Sequence, residues 1–255
     1  MEKLKFGLQL FSVRDFMTTA EDIYETFTKL KKMGYDQIQT AGCAIPYAEY
    51  GKIARETGLE IIGTHDSFKM MVEDFEQSLE NHKLLGTTNM GIGGMSYKSL
   101  DDVKRFIEKA NIVAEKAAKN NMKLTYHNHA HEFFRWENKK TTMEMLVEEL
   151  NPNGTSFVLD TYWVQYGGGA INEWIKNLTG RIDIIHLKDM MVGLDDGRAT
   201  PHITEIGNGN FDWNGIIKTA QEAKVKYYVV EQDCGWNPNC FASVKKSIEY
   251  LRALN

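Results

Sequence analysis

The sequence contains little cysteine, little proline and no long apolar run, and these shortages exclude several classes of protein. Cys43, Cys234 and Cys240 are an odd number of cysteines without a CxxC spacing, which argues against a disulfide framework and a cysteine-based zinc site. The start has only eight uncharged residues between Lys5 and Arg14 and no small-residue cleavage site, unlike a signal peptide. No stretch is long and apolar enough for a membrane span. We therefore expect a cytoplasmic protein with free thiols and no membrane partner.

The sequence also has fewer positively than negatively charged residues. The 30 Lys and Arg residues against 35 Asp and Glu residues give a net charge of -5. Binding to a phosphate backbone requires clustered Lys and Arg, so we expect no nucleic-acid partner. The 42% hydrophobic and 25% charged content of the 255 residues is that of an ordinary globular protein.

The chain does have a regular alternation of short apolar runs and amphipathic segments. Strands are predicted at 5–10, 37–40, 60–65, 89–93, 123–128, 156–161, 183–187 and 227–232. Helices are predicted between and after them, at 20–33, 47–57, 71–85, 99–120, 141–150, 171–178, 212–223 and 241–253. Eight strand–helix units predict an α/β fold, a (β/α)8 TIM barrel forming a single domain over residues 1–255. An open doubly wound sheet is the alternative, but no GxGxxG motif follows the first strand.

One segment interrupts the alternation. Residues 190–213 are polar and rich in glycine, and we interpret them as a long loop without regular structure. Long loops at the catalytic face of a barrel commonly cover or shape the substrate pocket. A second loop, after the fifth strand, holds Phe133, Phe134 and Trp136, which could cover the core, line the substrate pocket or form a subunit contact in a homo-oligomer.

The last four predicted strands each end near a side chain that can bind a metal. These residues are His127, Asp160, His186 and Glu231. A parallel barrel brings the carboxyl ends of its strands together, so the four side chains would meet there. Singly, each has a simpler explanation, because a buried histidine is often a core residue and an aspartate after a strand often caps the next helix. Together they predict one divalent metal ion, with Mn, Mg, Co and Zn all suited to this set of nitrogen and oxygen donors.

The motifs GLQLFSVRD, YHNHAHEF, VLDTYWVQYGG, HLKD, EIGNGNFDW and VVEQD occur in this order along nearly the whole chain. In this order they resemble the sugar phosphate isomerase/epimerase family of the xylose-isomerase-like TIM barrels. The resemblance implies a metal that is usually held by Glu, Asp, His and Glu on strands five to eight. Here His127 replaces the first glutamate, and Trp163 stands where a histidine typically follows the aspartate by three residues. Because ketose 3-epimerases of the family use both glutamates as bases, a symmetric two-glutamate mechanism is in doubt.

Other polar residues complete the predicted site. Glu231, His65 and Lys188 are the candidate catalytic residues, and His129, Trp163, Glu205 and Gln9 are the candidate substrate-binding residues. Each has a structural alternative. The histidines could make local hydrogen bonds, His129 could instead act as a ligand or base, Lys188 could be solvated, and Glu205 could stabilise its own loop.

These observations predict a metal-dependent isomerase or epimerase that acts on a sugar or sugar-derived ketone through a metal-stabilised enediolate. The alternative is a metal-dependent lyase or dehydratase that performs β-elimination on an oxo-sugar, a 3-oxo-glycoside or an inosose. A DNA-repair endonuclease barrel would need a denser ligand set and a cationic groove, and a barrel that only binds sugar would not need a metal.

Overall fold

The computed structural model of the chain describes residues 4–254 and forms a barrel of parallel strands surrounded by helices. Its strands are β1 (Phe6–Gln9), β2 (Gln37–Gln39), β3 (Glu60–Gly63), β4 (Asn89–Ile92), β5 (Lys123–His127), β6 (Thr155–Asp160), β7 (Ile182–Leu187), β8 (Asp189–Asp195), β9 (Arg198–Thr204) and β10 (Tyr227–Val230). Its α-helices are α1 (Ala20–Met33), α2 (Tyr47–Glu56), α3 (Phe68–Glu73), α4 (Phe75–Leu85), α5 (Leu100–Lys119), α6 (Thr142–Glu149), α7 (Thr161–Tyr166), α8 (Ile171–Asn177), α9 (Trp213–Glu222) and α10 (Cys240–Ala253). Short 3-10 helices lie at Leu10–Phe16 and His131–Phe133.

Eight of the strands pair in the order β3-β2-β1-β10-β7-β6-β5-β4, all in parallel. Individual hydrogen bonds connect the regions of β3 and β4, which stand at the two ends of this order. The Asp66 backbone N–H donates to the Gly91 carbonyl at 2.8 Å, and Asn89 Nδ2 donates to the Ile62 carbonyl at 2.8 Å. A side chain at Gly91 would collide with the carbonyl of Thr64. The nearly closed barrel confirms the predicted fold.

Local sequence explains where the helices begin and end. Thr19 and Asp22 form a capping box at the start of α1, and Gly34 ends this helix with a φ of 106°. The helix α5 begins after Ser99, whose hydroxyl accepts the Asp102 N–H. Apolar faces of these helices pack on the outside of the barrel.

Inside the barrel lies a small apolar layer formed by Ile62, Val158, Ile184 and Val229. Side chains two residues apart on a strand point to the same face. Asp160, His186 and Glu231 each follow a member of this layer by two residues, and they are therefore directed into the mouth of the barrel.

The interpretation of residues 190–213 as wholly irregular is wrong, because β8 and β9 pair there as an antiparallel hairpin. Its two-residue turn, Asp196–Gly197, has positive φ at both positions, 50° and 77°. Such a turn matches the twist of paired strands, and Asp-Gly is a typical sequence for it. The hairpin lies largely at the surface, where Met191, Val192 and Leu194 of β8 are exposed although they are apolar. The predicted helix at 71–85 is divided into α3 and α4, and the short helix α7 was not predicted.

Within residues 4–254, the structure has no helix that is long and apolar enough to cross a membrane.

Candidate metal centre and ligand cavity

Four metal-capable side chains meet at the carboxyl ends of β5, β6, β7 and β10. One donor atom from each of His127, Asp160, His186 and Glu231 lies within 4.8 Å of the others, and all four residues are buried. His127 Nε2 is 3.4 Å from Asp160 Oδ2, and His186 Nδ1 is 2.9 Å from Glu231 Oε2. The structure therefore brings together the four residues that the sequence predicted as ligands.

The hydrogen bonds around the two imidazoles suit them to hold a metal. His127 Nδ1 lies 3.2 Å from the Gly93 carbonyl, which can only accept, so this contact holds Nδ1 on the outer side and turns Nε2 toward the carboxylates. His186 Nε2 lies 2.6 Å from Gln39 Oε1, which likewise leaves Nδ1 as the inward-facing nitrogen. Outer partners of this kind fix the tautomer of metal-binding histidines. Two nitrogen and two oxygen donors suit a divalent ion such as Zn, Mn or Co.

Asp160 has two roles because its oxygens face different partners. Its Oδ1 accepts the backbone N–H of Trp163 at 2.9 Å and so caps α7. Its Oδ2 faces the metal-capable group. Helix capping and metal binding, which the sequence offered as alternatives, are thus compatible at this residue.

Lys188 lies in the middle of the carboxylates and is 1% exposed. Its Nζ is 2.7 Å from Glu231 Oε2, 3.0 Å from Asp160 Oδ2 and 3.0 Å from Asp233 Oδ2. The alternative that Lys188 is solvated is therefore wrong. The structure positions a fixed positive charge against the same oxygens that a metal would use.

The charges of this group determine its protonation. Burial alone would raise the pKa of Glu231, but the ammonium of Lys188 and the ring of His186 outweigh it and hold the pKa well below its ordinary value. Burial would likewise lower the pKa of His186, but the carboxylates of Glu231 and Asp160 outweigh it and the pKa is raised. Glu231 is therefore ionised at neutral pH and can accept a proton or bind a cation.

A cavity of about 340 Å³ opens above this group. Its wall includes His65, His129, Lys188, Glu231 and Asp233. Several polar atoms in and around it are buried without a partner among the described residues, and these are His65 Nε2, Gln39 Nε2, Trp163 Nε1, His129 Nδ1 and Asp233 Oδ1. Buried polar groups without partners are costly, so this cavity suits a ligand rich in oxygen atoms.

His65 and Gln9 lie next to each other beside the centre. The ring of His65 stacks on that of His127 with centroids 4.9 Å apart, and its Nδ1 is 3.0 Å from Gln9 Nε2. Gln9 is fully buried, and its Oε1 accepts the N–H of Phe11 at 3.0 Å. His65 thus lines the cavity as predicted, whereas both ends of the Gln9 side chain are already bonded to protein.

His129 forms another part of the wall, and Trp163 lies next to it. β5 ends at His127, yet the rings of His127 and His129 remain 4.7 Å apart. Burial and the neighbouring His127 lower the pKa of His129 to about 4, so its imidazole is neutral. The Trp163 ring lies 5.5 Å from that of His129 and 5.3 Å from Lys188 Nζ.

Glu205 is not brought into this group. It is 3% exposed, and its carboxylate accepts hydrogen bonds from Ser243 at 3.0 Å and Asn208 Nδ2 at 3.0 Å. Burial would raise the pKa of Glu205, but these hydrogen bonds and the nearby Lys246 lower it to about 2. The structure favours the alternative role of Glu205 as a loop-stabilising carboxylate, because none of its contacts reaches the cavity that contains Glu231.

The aromatic loop after β5 also turns away from this cavity. Phe133 packs edge-on against Trp174 with centroids 5.4 Å apart, and Trp136 Nε1 donates to Thr142 at 2.8 Å. Phe134 is 60% exposed. Phe133, Phe134 and Trp136 are therefore not part of the cavity lining, although His129 at the start of the same loop is.

Two residues of the site were missed in the sequence. Gln39 ends β2, far along the chain from the metal ligands, and nothing near it indicates a partner for His186. Asp233 follows Glu231 by two residues on the same side of the chain, and this spacing could have identified it.

The chain was compared with families, curated proteins and solved structures. The family model described as xylose isomerase-like TIM barrel matches residues 27–254. No curated protein matches the chain.

Solved structures are similar over almost the full length. A sugar phosphate isomerase/epimerase from Parabacteroides distasonis is 26% identical, with a TM-score of 0.82 over 98% of this chain and 93% of that one. A probable 3-DHS dehydratase from Bacillus anthracis is 15% identical, with a TM-score of 0.73 over 97% and 98%. A D-allulose 3-epimerase from Methylomonas sp., solved with D-allulose, is 13% identical, with a TM-score of 0.70 over 100% and 98%. The last two similarities concern the fold alone.

Proposed function

Because the chain belongs to the xylose isomerase-like TIM barrel family, we propose that it is a metal-dependent isomerase or epimerase acting on a sugar or a sugar-derived ketone. The observation that carries this proposal is the group of His127, Asp160, His186 and Glu231 beneath a polar cavity. The similarity to the sugar phosphate isomerase/epimerase of Parabacteroides distasonis supports it.

The metal would be held by these four residues and would act as a Lewis acid that makes the hydrogen beside a carbonyl easier to remove. Glu231 is the residue best suited to carry that proton. It is ionised, it faces the cavity, and Lys188 at 2.7 Å holds its carboxylate in place. Lys188 also adds positive charge where negative charge develops on the substrate.

The number of bases bears on the type of reaction. Moving a proton between adjacent carbons on one face of an enediol needs one base, whereas epimerisation needs a second group on the opposite face. His127 occupies the position where the family usually has the first of its two glutamates, and its inward nitrogen would be bound to the metal. Isomerisation by Glu231 alone therefore fits the ligand set more simply, and an epimerase would have to use His129 or Asp233 as the second group.

Unpaired polar atoms in and beside the cavity favour a hydroxylated substrate. His65 Nε2, Gln39 Nε2 and Trp163 Nε1 are buried nitrogens without protein partners. Hydroxyl and carbonyl oxygens of a sugar would provide acceptors for such donors. An apolar ligand of the same size would leave them unpaired at a cost of about 1–3 kcal/mol each.

A lyase or dehydratase is the second candidate. It is favoured by the presence of only one glutamate, Glu231, among the four metal-capable residues, because β-elimination needs one base and one acid. The positive charge of Lys188, buried beside Glu231, would stabilise the leaving oxygen. An oxo-sugar, a 3-oxo-glycoside or an inosose is the matching substrate class.

Metal analysis followed by a substrate screen in deuterated water tests the proposal. The protein is loaded separately with Mn²⁺, Co²⁺, Zn²⁺ and Mg²⁺ and incubated with aldoses, ketoses, inososes and 3-oxo-glycosides. We expect solvent deuterium in the recovered sugar without loss of water or aglycone. Loss of water or of the aglycone would instead establish the lyase reaction.

The matched control is Glu231→Gln, which keeps the shape of the side chain and removes its charge. Deuterium incorporation that is equally fast in this variant would contradict the role of Glu231. A native protein that binds none of the four ions would contradict the proposal as a whole.

A further inference from the structure

We propose that Gln9 is a positioning residue that holds His65 in one tautomer, so that His65 offers an N–H donor to the ligand cavity and not a basic nitrogen. The role of this donor toward a sugar oxygen rests on the proposed function. The tautomer itself follows from hydrogen bonds within the protein.

The orientation of the Gln9 side chain is fixed at one end. The backbone N–H of Phe11 lies 3.0 Å from Gln9 Oε1, and only an acceptor can satisfy it. The amide nitrogen of Gln9 must therefore be the atom that faces His65, 3.0 Å from Nδ1. Because Gln9 is fully buried, water does not compete for these contacts.

An amide N–H₂ group can only donate, so His65 Nδ1 must accept. A neutral imidazole with an unprotonated Nδ1 carries its proton on Nε2. The Gln9 side chain thus excludes the other tautomer.

The nitrogen at the opposite edge of the ring has no such partner. His65 Nε2 is buried and makes no hydrogen bond with any described residue, and His65 lines the cavity above the metal centre. The ring cannot turn away freely because it stacks on His127 at 4.9 Å and contacts His186 at 5.5 Å. A ligand oxygen in the cavity would supply the missing acceptor.

A fixed donor has a different use from a base. It can stabilise negative charge that develops on a substrate oxygen without any transfer of its proton. Proton removal is then left to Glu231, and His65 polarises or orients the substrate.

Nitrogen-15 NMR of the histidine side chains tests the tautomer without a substrate. His65 is assigned by the loss of its signals in His65→Asn, and spectra are recorded for the metal-free and the Zn²⁺-loaded protein. We expect a protonated Nε2 and an unprotonated Nδ1 in both. A protonated Nδ1 in the native protein would overturn the proposal.

The substitution Gln9→Glu tests the positioning role. One carboxylate oxygen still accepts the Phe11 N–H, but the other faces His65 Nδ1 with a lone pair and requires a proton there. We expect the signal of a protonated Nδ1, and a fall in turnover of about 10- to 100-fold, the scale known for residues that orient a functional histidine. An unchanged Nδ1 signal in Gln9→Glu would refute the role of Gln9.

Two further variants keep the test decisive. Gln9→Met removes both polar ends and should give a mixture of tautomers if the charge of Gln9→Glu prevents folding. The exposed Gln77, which donates to Asn81 at 3.0 Å, provides the control Gln77→Glu, in which the His65 signals should not move.

Activity then separates a donor from a base. His65→Gln retains an N–H donor, whereas His65→Leu retains none, so a donor role predicts clearly higher turnover for His65→Gln. Equal losses of about 10²- to 10⁴-fold in both would indicate general-base catalysis and overturn the donor role. If the tautomer is as expected but no sugar is converted, the proposed function fails while the role of Gln9 stands.

Discussion

Replacement of Lys188 by methionine should make the protein less stable without metal and more dependent on metal. In the structure, Lys188 Nζ lies 2.7 Å from Glu231 and 3.0 Å from both Asp160 and Asp233. Methionine has a similar length but no charge. Its introduction leaves two fully buried carboxylates without their compensating cation, and such a loss typically costs about 3–5 kcal/mol.

This loss of stability corresponds to a lower melting temperature. For a domain of this size, 1 kcal/mol corresponds to a shift of about 2–4 °C, so Lys188→Met should melt about 6–20 °C lower in EDTA. Protonation of the carboxylates would reduce the effect, and we therefore expect values toward the lower end at acidic pH. The magnitude is largest where Asp160 and Glu231 stay ionised.

Metal binding should change in the opposite direction. Lys188 and a divalent ion share the same carboxylate oxygens and repel each other, and two like charges about 4 Å apart cost about 4 kcal/mol at an intermediate dielectric constant. Even a third of that energy corresponds to about tenfold in affinity. We expect Lys188→Met to bind Zn²⁺ or Mn²⁺ at least tenfold more tightly and to recover most of its lost stability.

Thermal denaturation with and without metal, together with calorimetric metal titration, measures both effects. Lys245→Met, which removes one partner of an exposed ion pair with Glu249, is the matched control and should change neither quantity. An unchanged melting temperature in EDTA, or metal binding that is weaker than in the native protein, would refute this account of Lys188.

Four other outcomes follow. Glu231→Gln should abolish turnover and weaken metal binding at least tenfold by calorimetry; near-native values of both would remove Glu231 from the site. His127→Glu, which restores the usual family ligand, should keep metal in elemental analysis but change the product profile, and loss of all metal with an intact fold would show that His127 is misplaced. Glu205→Gln should lower stability at neutral pH by up to about 3 kcal/mol, because the pKa of Glu205 is lowered to about 2. The stability that ionised Glu205 contributes is present above its ordinary pKa and is lost as the pH falls from about 4.5 toward 2. The stabilities of the two proteins should therefore converge over this pH range in acid titrations. A raised KM with unchanged stability would instead indicate that Glu205 contacts substrate. Gly91→Ala should destabilise the barrel by about 1–3 kcal/mol in urea denaturation, because its Cβ would meet the Thr64 carbonyl; wild-type stability would show that β3 and β4 can separate freely.

The order of the strands and helices could be predicted because it depends on local patterns. Apolar runs of four to six residues, glycine after helices and capping residues before them are visible in the sequence itself. The hairpin formed by β8 and β9 was missed because residues 190–213 taken together are polar and rich in glycine, which hid the short apolar run from Met190 to Leu194 in β8. Its Asp196–Gly197 turn was a usable signal, since both positions adopt the positive φ that this type of turn requires.

The metal-capable residues could also be predicted, because each is the polar end of a buried strand. Parity along the strand then decides which side chains face the barrel mouth, as for Asp160 two residues after Val158. Strand parity does not apply to Glu205, which lies in a loop, and only the packing of this loop against α10 decided between substrate contact and loop stabilisation.

What the sequence by itself determined is therefore the barrel, the metal-capable residues at the strand ends and the presence of His127 where the family usually has a glutamate. Only the tertiary structure decided that Lys188 is buried among the carboxylates and that Gln9 and Gln39 fix the tautomers of His65 and His186. These contacts join β1 to the segment just after β3 and β2 to β7, through residues that are 56 and 147 positions apart. No local pattern in the sequence indicates hydrogen bonds over such separations, because they form only when the barrel brings its strands together.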